Sequence, residues 1–177
     1  TALNTIVDAI DKLRDTSSSH RRCSIVEVMG RNCGALAIHA GIAVGAEVVV
    51  CAETGYNMEE VIQTVREAAR SKRHAIVIVS EHVTDINELT KAINDQTPFN
   101  ARATVLGYIQ RGGVPSPRDR ILASTMGVRA IHELKNGNGG CCICEINGKL
   151  EAVPIDSALN HKRDQVTEKY EMFKELW

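Results

Sequence analysis

Apolar positions recur along this chain with two periods. Leu3, Ile6, Val7, Ile10 and Leu13 fall at helical spacing from the first residues onward. Short unbroken apolar runs such as Ala75-Ile76-Val77-Ile78-Val79 read instead as strands buried on both faces. Taken along the whole chain, the pattern predicts helices over about 1–14, 31–44, 57–71, 86–96, 117–135 and 163–177. It predicts strands over Ser24–Val28, Glu47–Cys51, Ala75–Ser80, Ala103–Leu106, Cys141–Glu145 and Lys149–Val153. Alternation of this kind argues for βαβ units, hence an α/β fold with a largely parallel sheet flanked by helices. The last two strands meet at Asn147-Gly148, a hairpin signal, and Asn136-Gly137-Asn138-Gly139-Gly140 stops the helix before them.

Composition sharpens that picture. The length of 177 residues allows one large domain or two small ones. Aromatics are scarce, with three Tyr, two Phe and one Trp, so the core must be built of Val, Ile, Leu and Ala. A formal net charge of −1 gives no bulk attraction to nucleic acid or to a membrane surface. No apolar run is long enough to cross a bilayer, and the start has no basic n-region and apolar h-region of a signal peptide. The expected location is the cytoplasm, and the cysteines at 23, 33, 51, 141, 142 and 144 fit that reducing compartment as free thiols. Cys141-Cys142-Ile143-Cys144 has no second C-x-x-C unit to complete a zinc ribbon, so it reads as a buried strand using Cys as a small hydrophobe. There is no initiator Met and the chain opens inside an amphipathic pattern, from which we expect Thr1 to be an excision point with an upstream part missing.

In open α/β sheets, ligands sit beyond the carboxyl ends of the strands. That rule selects Met29-Gly30-Arg31-Asn32-Cys33-Gly34, Glu81-His82, and Gly107-Tyr108-Ile109-Gln110-Arg111-Gly112-Gly113. Together these ends carry two arginines, a carboxylate and several glycines. Arginines suit a phosphate and a carboxylate suits hydroxyls, so a phosphorylated polyol is a fitting ligand. Met29-Gly30-Arg31 is placed at a helix start, where free N–H groups favour an anion; the alternative is a plain strand-to-helix turn. Arg70-Ser71-Lys72-Arg73-His74 is either a cationic helix end complementing the dipole or a separate phosphate site. The stretch Asp15–Arg22 is a polar loop holding two arginines. Arg102 and Arg111 stand nine residues apart. With 102–107 extended at about 3.3 Å per residue, they reach one phosphate only if the chain folds back sharply or if two subunits contribute one each.

Five collinear motifs carry a resemblance: Arg14-Asp15-Thr16-Ser17-Ser18-Ser19-His20, Val26-Glu27-Val28-Met29-Gly30-Arg31, Glu81-His82, Arg102 through Gly113, and Asp119-Arg120-Ile121-Leu122-Ala123-Ser124. In these the chain resembles the 6-phosphofructokinases, in particular the short bacterial ATP-dependent type, over its whole length. The resemblance implies a three-layer, Rossmann-like sugar-phosphate domain. It implies transfer of the γ-phosphoryl group of ATP to the 1-hydroxyl of fructose 6-phosphate, with Mg²⁺, in a cytoplasmic homotetramer of glycolysis. Met29, Gly30 and Arg31 would contact the sugar phosphate, with Arg31 assisting catalysis, and Glu81 would bind hydroxyls. Tyr108 and Arg111 would face the phosphate from the same subunit, whereas Arg22 and Arg102 would serve a neighbour's site. An effector site for a nucleoside diphosphate or a phosphoenolpyruvate-type ligand would use Arg14, Gly45, Glu47, Arg70, Lys72, Arg73 and His74, with Glu47 near the nucleotide's Mg²⁺.

Two departures follow from the same resemblance. The family usually has histidine at the position of Tyr108, and tyrosine keeps a donor without becoming cationic near neutral pH. The family's glycine-rich ATP site and its Thr-Ile-Asp-Asn-Asp segment with the catalytic aspartate do not occur in this sequence. The expectation is therefore a carboxy-terminal part, 1–177, of such a kinase, inactive alone because ATP and the base come from the missing half. The alternatives are a non-catalytic sugar-phosphate or nucleotide sensor and a pyrophosphate-dependent phosphofructokinase.

Overall fold

A computed structural model describes residues 1–17, 21–160 and 164–176. Ser18, Ser19 and His20 of the polar loop lie outside the described residues, as do residues 163 and 177 at the ends of the last expected helix. The chain divides into two units: Ala2–Arg111 with Asp164–Trp177, and Gly112–Arg163 with Thr1.

In the larger unit the element order is α1 (Ala2–Ser17), β1 (Arg22–Val28), α2 (Ala35–Val44), β2 (Val48–Val50), α3 (Met58–Ser71), β3 (His74–Ser80), α4 (Ile86–Gln96) and β4 (Asn100–Val105). A 3₁₀ turn at Gly107–Gln110 follows, and α7 (Asp164–Lys174) returns to this unit. All four strands are parallel, in the order β2-β3-β1-β4. Polarity accounts for the edge position of β4. Ala75 through Val79 on β3 and Ile25 and Val26 on β1 are fully buried, so these strands lie inside. Each such Val or Ile contributes roughly 1.5–3 kcal/mol on burial. β4 carries Asn100, Arg102 and Thr104 and takes an edge, where polar side chains find water.

The two faces are covered by different helices. Val26, Val28, Val49, Ile76 and Ile78 pack with Ile6 and Ile10 of α1, Ala37 and Ile38 of α2, and Phe173 of α7. Ile25, Val50, Val77, Val79 and Ala101 pack with Val61 and Val65 of α3 and with Leu89 and Ile93 of α4. This is the expected three-layer α/β arrangement. Gly41 lets α2 approach closely: a Cβ there would overlap Val49 Cγ2.

The second unit holds α5 (Pro117–Lys135), the antiparallel pair β5 (Cys141–Ile146) and β6 (Lys149–Pro154), and the short α6 (Ile155–Leu159). Asn147 and Gly148 both have positive φ, 51° and 77°, as a two-residue hairpin turn requires. One expectation is corrected here. Cys141, Cys142 and Cys144 are only partly covered, because a two-stranded ribbon with a helix on one face cannot enclose them as a central strand would. Cys23 in β1 and Cys51 just past β2, by contrast, are buried, and burial pushes both thiols up.

Strand and helix starts differ most from the sequence pattern. β1 and β4 begin earlier, at Arg22 and Asn100, because arginine and asparagine pair as well as apolar residues where a strand opens. α2 begins at Ala35 rather than at 31. Gly30 has φ of +143°, and the Cys33 amide donates to the Gly30 carbonyl at 3.2 Å, which closes a turn before the helix. Met29-Gly30-Arg31 therefore lies in a loop and not at a helix N-terminus.

Candidate functional site

β1 leads into α2 on one face of the sheet, and β3 leads into α4 on the other. Since β1 and β3 are neighbours, their carboxyl ends part and leave a crevice, the usual ligand position in such sheets. A cleft of about 430 Å³ opens there, lined by residues from three strand ends. Val28, Met29 and Arg31 come from the end of β1, Glu81 and His82 from β3, and Tyr108, Gln110 and Arg111 from the turn after β4.

Local geometry fixes each group. The Arg111 amide donates to the Tyr108 carbonyl at 2.9 Å and closes the 3₁₀ turn. That turn stacks the Arg111 guanidinium over the Tyr108 ring, 5.1 Å from its centroid. Tyr108 itself is 79% exposed, a large aromatic held out beside the cleft. Glu81 Oε1 accepts from the Gly30 amide at 3.3 Å, tying the β3 end to the loop after β1. The Met29 amide donates to Gln110 Oε1 at 3.0 Å. The Met29 and Gly30 N–H groups, expected to face an anion, are thus engaged by side chains of the cleft. Arg31 Nη2 lies 3.1 Å from His82 Nε2, joining the loop after β1 to the end of β3. His82 has φ of +65°, an unusual backbone state for a non-glycine residue, and such states concentrate at functional sites.

The cleft brings together two guanidiniums, two carboxylates and an imidazole. Glu27 lines the cleft with Glu81. Its carboxyl is raised above the ordinary glutamate range, first by partial burial and then by the Glu81 charge, with His82 opposing. The arrangement can grip a phosphate with Arg31 and Arg111 while Glu81 and Glu27 accept from hydroxyls. Glu27, Gln110 and His82 were not among the residues assigned a site role from the sequence. The carboxyl-end rule reached the segments holding His82 and Gln110 but gave neither residue a role, because the role of each lies in a partner from another loop. Glu27 lies inside β1, before the strand end, so that rule does not select it.

Arg22 and Arg102 do not line this cleft. Arg22 pairs with His74 and Asn100, and Arg102 pairs with Ser24, so both stand toward the amino ends of the strands. Two-residue periodicity puts them on the same sheet face, the one bearing α1 and α2. Arg22 Nε is buried without a hydrogen-bond partner.

The residues expected at an effector site also gather at the amino ends. Gly45 terminates α2 in the left-handed conformation, φ +63°, and the Arg14 guanidinium donates to the adjacent Val44 carbonyl. Glu47 is buried; its Oε1 accepts from Lys72 Nζ at 2.9 Å and its Oε2 from the Ile76 amide at 2.6 Å. Arg70 and Arg73 are exposed and His74 is half-buried. In this arrangement each Glu47 oxygen already accepts one donor. Among the described residues no group of three His, Cys, Asp or Glu could hold a metal ion. No helix of the described residues is long and apolar enough to cross a membrane.

Comparison with known proteins gives a consistent result. A sequence model of the family Phosphofructokinase matches residues 1–134. The ATP-dependent 6-phosphofructokinase of Photobacterium profundum is 51% identical over 179 aligned residues, covering 100% of this chain and 56% of the relative. The solved structure of phosphofructokinase from Saccharomyces cerevisiae superposes with a TM-score of 0.87 at 28% identity, over 97% of this chain and 28% of that one. Phosphofructokinase from Pichia pastoris in the T-state gives a TM-score of 0.82 at 30% identity, over 99% of this chain and 22% of that one. The chain spans about half the length of the curated relatives it matches. On these grounds the chain belongs to the phosphofructokinase family.

Proposed function

We propose that this chain carries the fructose 6-phosphate site of an ATP-dependent 6-phosphofructokinase. The complete enzyme would transfer the γ-phosphoryl group of ATP to the sugar's 1-hydroxyl. The observation that carries the reading is the cleft at the β1–β3 switch point, where Arg31 and Arg111 flank Glu81 and Met29. Guanidiniums there would bind and orient the 6-phosphate, and Glu81 would accept from ring hydroxyls. Arg31 would in addition assist the transfer, its guanidinium offsetting charge that develops on the transferred group.

ATP and a base that takes the hydroxyl proton are needed for this reaction. The motifs that supply them in the family are not in this sequence, and Mg²⁺ would enter with the nucleotide phosphates. Within this proposal the chain is the substrate-binding part of a longer polypeptide. The polypeptide of these residues alone should then show no ATP-dependent turnover in a coupled assay.

Arg22 and Arg102 lie away from their own cleft, which supports a reading in which they reach the phosphate in a neighbouring subunit of a homotetramer. Arg14, Gly45, Glu47, Arg70, Lys72, Arg73 and His74 would form an effector site for a nucleoside diphosphate or a phosphoenolpyruvate-type anion at the opposite rim of the sheet. The test of the substrate site is Arg111→Ala in the complete enzyme. A charge-assisted contact is worth roughly 1.5–3 kcal/mol, so KM for fructose 6-phosphate should rise about tenfold or more while KM for ATP stays unchanged. An unchanged KM for the sugar phosphate would refute the assignment.

A further inference from the structure

Gln110 is a polar side chain with 2% exposure, set in the 3₁₀ turn after β4. Its Oε1 accepts from the Met29 amide at 3.0 Å, and its Nε2 donates to the Gly107 carbonyl at 2.9 Å. The two bonds fix which way the amide faces, because a reversed amide would set donor against donor at Met29. They also join two loops that nothing else in the sheet ladder joins. The β1–β4 register ends at Glu27 and Val105, and the last backbone link runs from the Leu106 amide to the Glu27 carbonyl at 3.1 Å. Beyond it, the β1 loop carries Arg31 and the β4 turn carries Tyr108 and Arg111. On its other side the β1 loop is held by Glu81 through the Gly30 amide.

We propose that Gln110 is a positioning residue that sets the spacing of Arg31 and Arg111 by tying the Met29 loop to the 3₁₀ turn. The proposal rests on the reading of this cleft as the sugar-phosphate site. Gln110 acts through Met29 and Gly107, not on the ligand's reacting atoms. Groups on separate loops hold one substrate in its reacting geometry only at a fixed separation, and a displacement of about 1 Å is enough to cost a hundredfold in rate. Removing the amide also leaves the Met29 N–H and the Gly107 carbonyl without their partner in a part-buried place.

The test compares Gln110→Met and Gln110→Glu with the unsubstituted complete enzyme. Methionine preserves volume and removes both bonds; glutamate keeps an acceptor for Met29 and loses the donor to Gly107. The expected result is a KM for fructose 6-phosphate about tenfold higher in Gln110→Met, an intermediate value in Gln110→Glu, and an unchanged KM for ATP. A role in packing alone gives the opposite ranking, since methionine fits the space and a buried carboxylate does not. A sugar-phosphate KM equal to that of the unsubstituted enzyme in either folded variant overturns the positioning role. If the unsubstituted enzyme shows no saturable dependence on fructose 6-phosphate, the reading of the cleft falls and the role of Gln110 with it.

Discussion

Gly30 shows how a single residue shapes the cleft. At φ of +143°, a Cβ would stand 2.5 Å from the Cys33 carbonyl oxygen. Backbone states of this kind cost about 1–3 kcal/mol for a residue with a side chain. Gly30→Ala should therefore lower the melting temperature and displace Arg31, raising the sugar-phosphate KM of the complete enzyme. Thermal denaturation alongside steady-state kinetics checks both, and an unaltered melting temperature would contradict the strain. Glu27 carries a prediction in pH. Its carboxyl is raised in the fold by partial burial and by Glu81. A raised acid holds its proton more tightly when folded, so the ionised form is disfavoured in the native state. The resulting cost appears as pH rises through the ordinary glutamate value and is complete above the shifted one. Glu27→Gln should then be slightly more stable than the unsubstituted chain near neutral pH, with the gain vanishing below the ordinary glutamate value of about 4.3. Urea denaturation on either side of that value decides it; a difference that does not change with pH would count against the raised Glu27 carboxyl.

Element by element, the chain gave up its architecture readily and its boundaries less so. α4 and α5 fall on the residues that helical spacing picks out, because Asp85 and Ser116 cap them at their first turns. Asp85 Oδ1 accepts from the Asn87 amide at 2.7 Å and from the Glu88 amide at 3.3 Å. Asp85→Ala should cost about 1 kcal/mol, read as a lower denaturation midpoint; no measurable loss would show that the cap contributes nothing. The start of α2 was not legible, since the turn that delays it depends on the Gly30 conformation and on Glu53, whose two oxygens accept from the Gly34 amide at 3.0 and 2.9 Å. That carboxylate lies nineteen positions along the chain, beyond the reach of a local pattern. The opening of β4 was hidden for another reason: an edge strand tolerates Asn100 and Arg102, which a rule tuned to buried strands passes over. Of the cleft, the residues at strand ends were legible from the carboxyl-end rule. Glu27, inside β1, was not, and neither was the role of Gln110, because it lies in partners brought from elsewhere in the sheet.

Across the larger unit, the two ends of the parallel sheet do different things. The carboxyl ends converge on the cleft with Arg31 and Arg111, while the amino ends collect Arg22, Glu47, Lys72 and His74. Arg102 lies toward the amino end of β4, and the extended chain from there to Leu106 spans about 13 Å before the turn that carries Arg111. The two arginines are thus separated within a subunit, with no sharp fold-back between them to bring them to one phosphate. On the proposed function each arginine belongs to a different clamp, Arg111 to its own cleft and Arg102 to a neighbour's. The most direct measurement mixes Arg102→Ala and Arg111→Ala subunits of the complete enzyme, each homogeneous variant having a raised KM for fructose 6-phosphate. A shared site predicts that the mixture regains a component with the unsubstituted KM, because some sites then receive neither substitution. A mixture that behaves only as the average of its two parents would contradict it.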